Sequence, residues 1–118
     1  MDVFGIEDFN YFESEYTRGG FRYSVKSLIE ASKDLPEFKL PLIGIDIGLS
    51  PWGNITIKKF IYHSKRLKEC NLDYPIILDD TGYICDGWHR IVKAILNGEE
   101  YIMAKRLTIM PENIGIDE

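Results

Sequence analysis

The residues of this chain best placed to do chemistry are Asp86, Gly87, Trp88, His89 and Arg90, a row standing where a strand gives way to a helix. Downstream, Trp88, Ile91, Val92, Ile95 and Leu96 follow the spacing of a one-faced helix, which puts His89 and Arg90 in its first turn. Basic side chains there oppose the helix macrodipole, an effect that a negative group nearby would offset. A phosphate would fit. First-turn backbone N–H groups point at an incoming oxyanion, Gly87 lets it approach without a Cβ, His89 and Arg90 add donors, and Trp88 flanks the site. A plainer account stays open beside it. Asp86 could cap the helix, His89 and Arg90 could be solvated or paired with acidic neighbours, and Gly87 could serve only the turn.

The elements that must hold this row are legible on either side of it. Ile76-Ile-Leu78 is a short apolar run, Asp79-Asp-Thr-Gly82 carries turn chemistry, and Tyr83-Ile-Cys85 returns as a strand, so a tight hairpin feeds the motif. Gly98 closes the helix, and residues 101–109 read as a last strand. Upstream, a helix runs from about Val25 to Asp34, capped by Ser24, burying Leu28 and Ile29 and stopped by Pro36. Residues 38–47 read as a buried strand, with Pro41 near its start. A second helix spans about Thr56 to Cys70, with Ile57, Phe60, Ile61 and Leu67 as its apolar stripe and His63 beside it. Gly19-Gly20 marks a break after an acidic, aromatic-rich segment containing Phe4, Phe9, Tyr11, Phe12 and Tyr16. Helices alternating with short strands give a single α+β domain, divided into the segment 1–20, a body 21–110 and a loose acidic tail 111–118.

The stretch from Pro75 to Arg106 resembles the signature region of the ParB/sulfiredoxin superfamily. There a hairpin leads into a D-G-x-H-R or G-C-H-R motif at a helix start. Ser24 to Glu30 is similar to the opening segment of such domains, and Leu40 to Ile45 to an early strand. The resemblance implies a small mixed sheet flanked by helices and a phosphate or nucleotide site at Asp86, Gly87, Trp88, His89 and Arg90. Free-serine kinases of the superfamily pair such a site with a glutamate base from the N-terminal half, and Glu30 is the counterpart here. In sulfiredoxins the residue before His-Arg is the reactive cysteine; Trp88 occupies that place, which removes the reductase chemistry. The G-E-R-R and Pro-Gln-Pro-Arg-like elements of chromosome-partitioning ParB proteins are absent. Phosphotransfer or nucleotide hydrolysis resting on positioning and charge remains, with Mg2+ accompanying a nucleotide.

At 118 residues the chain can bury a core without disulfides or metal, and its 45% hydrophobic and 28% charged fractions describe a globular protein. A net charge of −5 argues against nucleic acid as the main ligand. DNA cleavage ranks lower still, because no two-metal carboxylate set is legible. The charge is unevenly spread. Five acidic residues and no basic one lie between Asp2 and Glu15, whereas Lys58, Lys59, Lys65, Arg66 and Lys68 crowd one helix, either as a solvated face or as a rim to the anion site. Trp52 could stack on a base or cover the core edge, and Asp46, Asp79 or Asp80 could meet a phosphate-bridging metal or serve turns. The acidic N-terminus does not resemble a signal peptide and no apolar stretch spans a bilayer, so a cytoplasmic location with Cys70 and Cys85 reduced is expected. A second class of function stands beside ligand binding. Stand-alone superfamily members are small and often carried by bacteria and phages, and this chain could be a non-enzymatic interaction or regulatory protein working through its acidic aromatic segment. An Arg90–carboxylate pair closing the site would favour that alternative.

Overall fold

Three consecutive apolar residues, Ile76, Ile77 and Leu78, are all buried, and the fold is built around the need to cover both of their faces. The computed structural model describes residues 3–10 and 14–116. In chain order they form β1 (Glu15–Arg18), β2 (Phe21–Ser24), α1 (Val25–Ser32), β3 (Phe38–Pro41), α2 (Ile57–Glu69), β4 (Ile76–Leu78), β5 (Ile84–Asp86), α3 (Trp88–Leu96), β6 (Tyr101–Arg106) and β7 (Gly115–Ile116). One sheet has the order β3-β6-β4-β5 and the other β1-β2-β7. Within the first, β4 and β6 are parallel and the other pairings antiparallel. A parallel pair needs a crossover, and α3 supplies it, packing back on the sheet.

The pleat of β4 divides the core in two. Ile76 and Leu78 pack with Ile91 and Ala94 of α3 and with Ile102, Ala104 and Leu42, while Ile77 faces Val25 and Leu28 of α1, Tyr23 of β2, Cys85 and Leu107. Ser24 caps α1 as expected, its Oγ accepting from the Ser27 N–H at 3.2 Å. Thr56 does the same for α2 through the Lys59 N–H. Helix α1 stops at Ser32, two residues short of the expected end.

Five expectations need correction. Strand pairing ends at Pro41, not at residue 47, because β3 pairs with β6 only as far as Tyr101 and the chain before Tyr101 is the turn leaving α3. Leu42–Gly44 instead winds into a 3-10 turn. Strand β6 ends at Arg106, after which the Leu107 N–H donates to Leu78 O and Ile109 stands exposed. Most of the apolar stripe expected to bury α2 points outward: Ile57, Phe60 and Ile61 are 79%, 62% and 44% exposed, Leu67 is half-buried, and α2 has no fully buried residue. Finally, Gly19 and Gly20 do not separate a segment from the body. Their φ values of 60° and 81° make the two-residue turn of a β1–β2 hairpin, whose registry crosses the limit drawn at residue 20. Part of the tail is also ordered, with Gly115 and Ile116 paired to β2. Tyr11 and Phe12 lie outside the described residues.

Candidate functional site

Residue Gly87 begins α3 with φ of 115°, and an added Cβ would lie 2.5 Å from Ile76 Cγ2. Glycine is therefore required here by the close approach of the turn to β4. Asp86 is not the cap of α3. Its Oδ2 accepts from Arg90 Nη2 at 2.6 Å, while Arg90 Nη1 donates to Pro75 O at 2.8 Å. The negative charge that a basic first turn demands is thus supplied by the preceding strand, and the guanidinium ties the start of α3 to the start of β4.

The neighbouring His89 is 8% exposed, and its Nε2 lies 2.8 Å from Nδ1 of His63 on α2. Trp52, from the loop before α2, stacks on both rings at centroid distances of 4.2 and 4.7 Å. Burial, then Arg66, His63 and Arg90, push the His89 pKa down to about 3. His63 is lowered too, by burial first and then by Arg66 and Lys59. Both rings are neutral at pH 7. His89 accordingly meets α2 through its Nε2, and Trp52 covers the two imidazoles. Trp88 packs half-buried against the core.

A cavity of about 1030 Å3 opens beside Asp86 and Arg90 of the motif. Val25, Ile29 and Ile77 form apolar wall, and the basic side chains along it are Lys33, Arg66, Arg90 and Lys105, facing Asp8, Glu69 and Asp86. Of the five motif residues, Asp86 and Arg90 line this cavity and Gly87, Trp88 and His89 do not. Glu30 stands exposed on α1 and is not in the lining, although Ile29 beside it is. The N-terminal segment reaches the cavity along α2. Asp8 pairs with Lys65, and the Arg66 guanidinium sits 3.6 Å over the Phe9 ring. Of the basic run of α2, Arg66 lines this cavity, while Lys58, Lys59 and Lys68 stand exposed. Arg66 and Lys105 were not singled out as ligands; no local pattern distinguishes them, since the α2 fold-back and the β6 pairing bring them in.

The acidic turn serves structure. Asp79 is fully buried, with Oδ1 accepting from the Thr81 and Tyr83 N–H groups and from Thr81 Oγ1, and Oδ2 from Tyr16 Oη and Arg18 Nη1, each at 3.0 Å. Burial raises its pKa, but the donors, Thr81 first, outweigh that and hold it at about 2. Arg18 also pairs with Asp80, so the turn is stapled to β1. Cys85 is buried with its thiol pushed up to about 12, mainly by burial, and is inert; both cysteines are free. For Mg2+ the cavity carboxylates are Asp8, Glu69 and Asp86, of which Asp8 and Asp86 already face cations. Among the described residues no group of three His, Cys, Asp or Glu side chains converges as a metal site. Of the three cavity carboxylates, Glu69 is the one not held in an ion pair among the described residues. None of the described helices is long and apolar enough to cross a membrane.

Comparison with protein-family models, with curated proteins and with solved structures returned no match.

Proposed function

We propose that this protein binds a phosphate-bearing small molecule of nucleotide size in the cavity between α1, the C-terminal half of α2 and the start of α3. The observation that carries the reading is the cavity lining, where Arg90 of the Asp-Gly-Trp-His-Arg motif and Arg66 of the basic helix share one open cavity with Lys33 and Lys105. Several basic side chains around a partly apolar hollow suit a ligand with a charged end and a flat uncharged one. The ParB/sulfiredoxin resemblance points the same way, with the binding carried by Arg90 and Arg66 in place of His89. Catalysis is a further step and rests only on the resemblance, because Glu30 does not line the cavity. A second reading draws on the Asp86–Arg90 pair, which satisfies the motif internally and favours a non-enzymatic interaction protein. Calorimetry separates the two. ATP, ADP or CTP, with and without magnesium, should bind the intact chain and lose about tenfold or more in affinity in Arg66→Ala and Arg90→Ala. Absence of binding at millimolar nucleotide would overturn the ligand reading.

A further inference from the structure

Helix α2 carries an apolar face that the described residues do not cover. Ile57, Phe60 and Ile61 fall at i, i+3 and i+4, and all are exposed. The inward side of the helix is held by other means, the His63–His89 contact, the Trp52 stack and Lys93 Nζ donating to Cys70 O at 2.7 Å. We infer that the outer face of α2 docks an acidic amphipathic segment of another protein, beyond the ligand reading and independent of it.

Charge decides which occupant fits. The helix holds five basic residues against one acidic, within a chain of net charge −5. Lys58, Lys59 and Lys68 are exposed and have no ion pair among the described residues. A partner with apolar residues in one stripe and carboxylates beside it would bury the three apolar side chains and meet these lysines at once. The chain itself shows the chemistry in miniature. Asp8 and Phe9, an acidic and an aromatic residue in succession, already lie on Lys65 and Arg66 along the flank of this helix. A second copy suits the face less well, because a two-fold contact would set Lys58 and Lys59 against their own equivalents. An anionic bilayer is opposed by the acidic remainder of the chain.

The test uses the intact protein and a synthetic helical peptide of about 18 residues with leucine and phenylalanine at i, i+3, i+4 and i+7 and glutamate elsewhere. Fluorescence anisotropy should show binding that weakens with salt, falls about tenfold or more in the Phe60→Ser, Ile61→Ser double variant, and is lost when the peptide glutamates become lysines. The two substituted residues are exposed, and an unchanged circular dichroism spectrum checks the fold. Lys58→Glu, Lys59→Glu should reverse the preference between the two peptides. Equal binding of both peptides, or undiminished binding by the double variant, overturns the inference. So do binding to phosphatidylserine vesicles without binding to the peptide, and self-association abolished by Phe60→Ser, Ile61→Ser.

Discussion

His63 Nδ1 and His89 Nε2 lie 2.8 Å apart, so a single proton between two imidazoles joins α2 to α3. Since α2 has no buried residue, this bond and the tryptophan above it are among the attachments of a surface helix that forms one wall of the cavity. Burial disfavours the charged form of both rings. In the folded chain their pKa values lie below the ordinary 6.5, that of His89 at about 3. The unfolded chain therefore binds more protons as pH falls below 6.5, and the stability the pair contributes above that value is lost progressively toward pH 3. Each histidine adds up to about 1.4 kcal/mol per pH unit. Urea denaturation at pH 7.5 and pH 5 should show a lower midpoint at the acid value, and a smaller drop in His89→Gln. Equal midpoints in the native chain would show that the rings are not desolvated.

Removing the cover should release the titration. Trp52→Ala opens both rings to water, and because burial is the leading cause of their depressed values, both pKa values should rise toward 6.5. Imidazole proton shifts followed by NMR across pH 4 to 8 read this directly. A His89 resonance that still fails to titrate above pH 4 in the variant would assign its burial to the core alone.

The motif glycine is a packing requirement. Gly87→Ala places a Cβ within 3 Å of Ile76 at a backbone conformation that side chains disfavour, for a cost of about 2–4 kcal/mol. Thermal unfolding should show a clear loss of stability in the absence of any ligand. A near-native melting temperature would point instead to a glycine kept for ligand approach.

The turn carboxylate at Asp79 should be the most sensitive acid in the chain. Asp79→Ala leaves Tyr16, Arg18, Thr81 and two backbone N–H groups without their acceptor, costing on the order of 3 kcal/mol, whereas Tyr16→Phe should cost about 1 kcal/mol. Its pKa is depressed, so this stability is complete above about pH 4 and disappears as pH falls through about 2. Denaturant titrations at pH 7 and pH 3 measure both effects. Asp79→Ala matching Tyr16→Phe at pH 7 would refute the network.

The element feeding the motif, and the motif helix itself, were legible because their signals are local. Ile76 to Leu78, the Asp79-to-Gly82 turn and the Trp88 to Leu96 stripe each carry a period or a turn chemistry that the neighbouring few residues determine. The same holds for the Ser24 and Thr56 caps. The β1–β2 hairpin was equally local, and its Gly19-Gly20 signal was present, but the short strands beside it lack strong alternation.

Partner choice was not legible. The helical period of α2 is plain in Ile57, Phe60, Ile61 and Leu67, yet which side turns inward depends on His89 and Trp52, which come from other elements. Likewise the first turn of α3 had to meet a negative charge, and it took the close packing of Pro75, Asp86 and Arg90 to settle on a carboxylate of the same chain. Periodicity, capping and turn chemistry arise from residues within one or two turns of each other and can be read along the chain. Burial, pairing and the state of an imidazole arise from groups brought together across tens of residues, and exist only once the sheets and helices have packed.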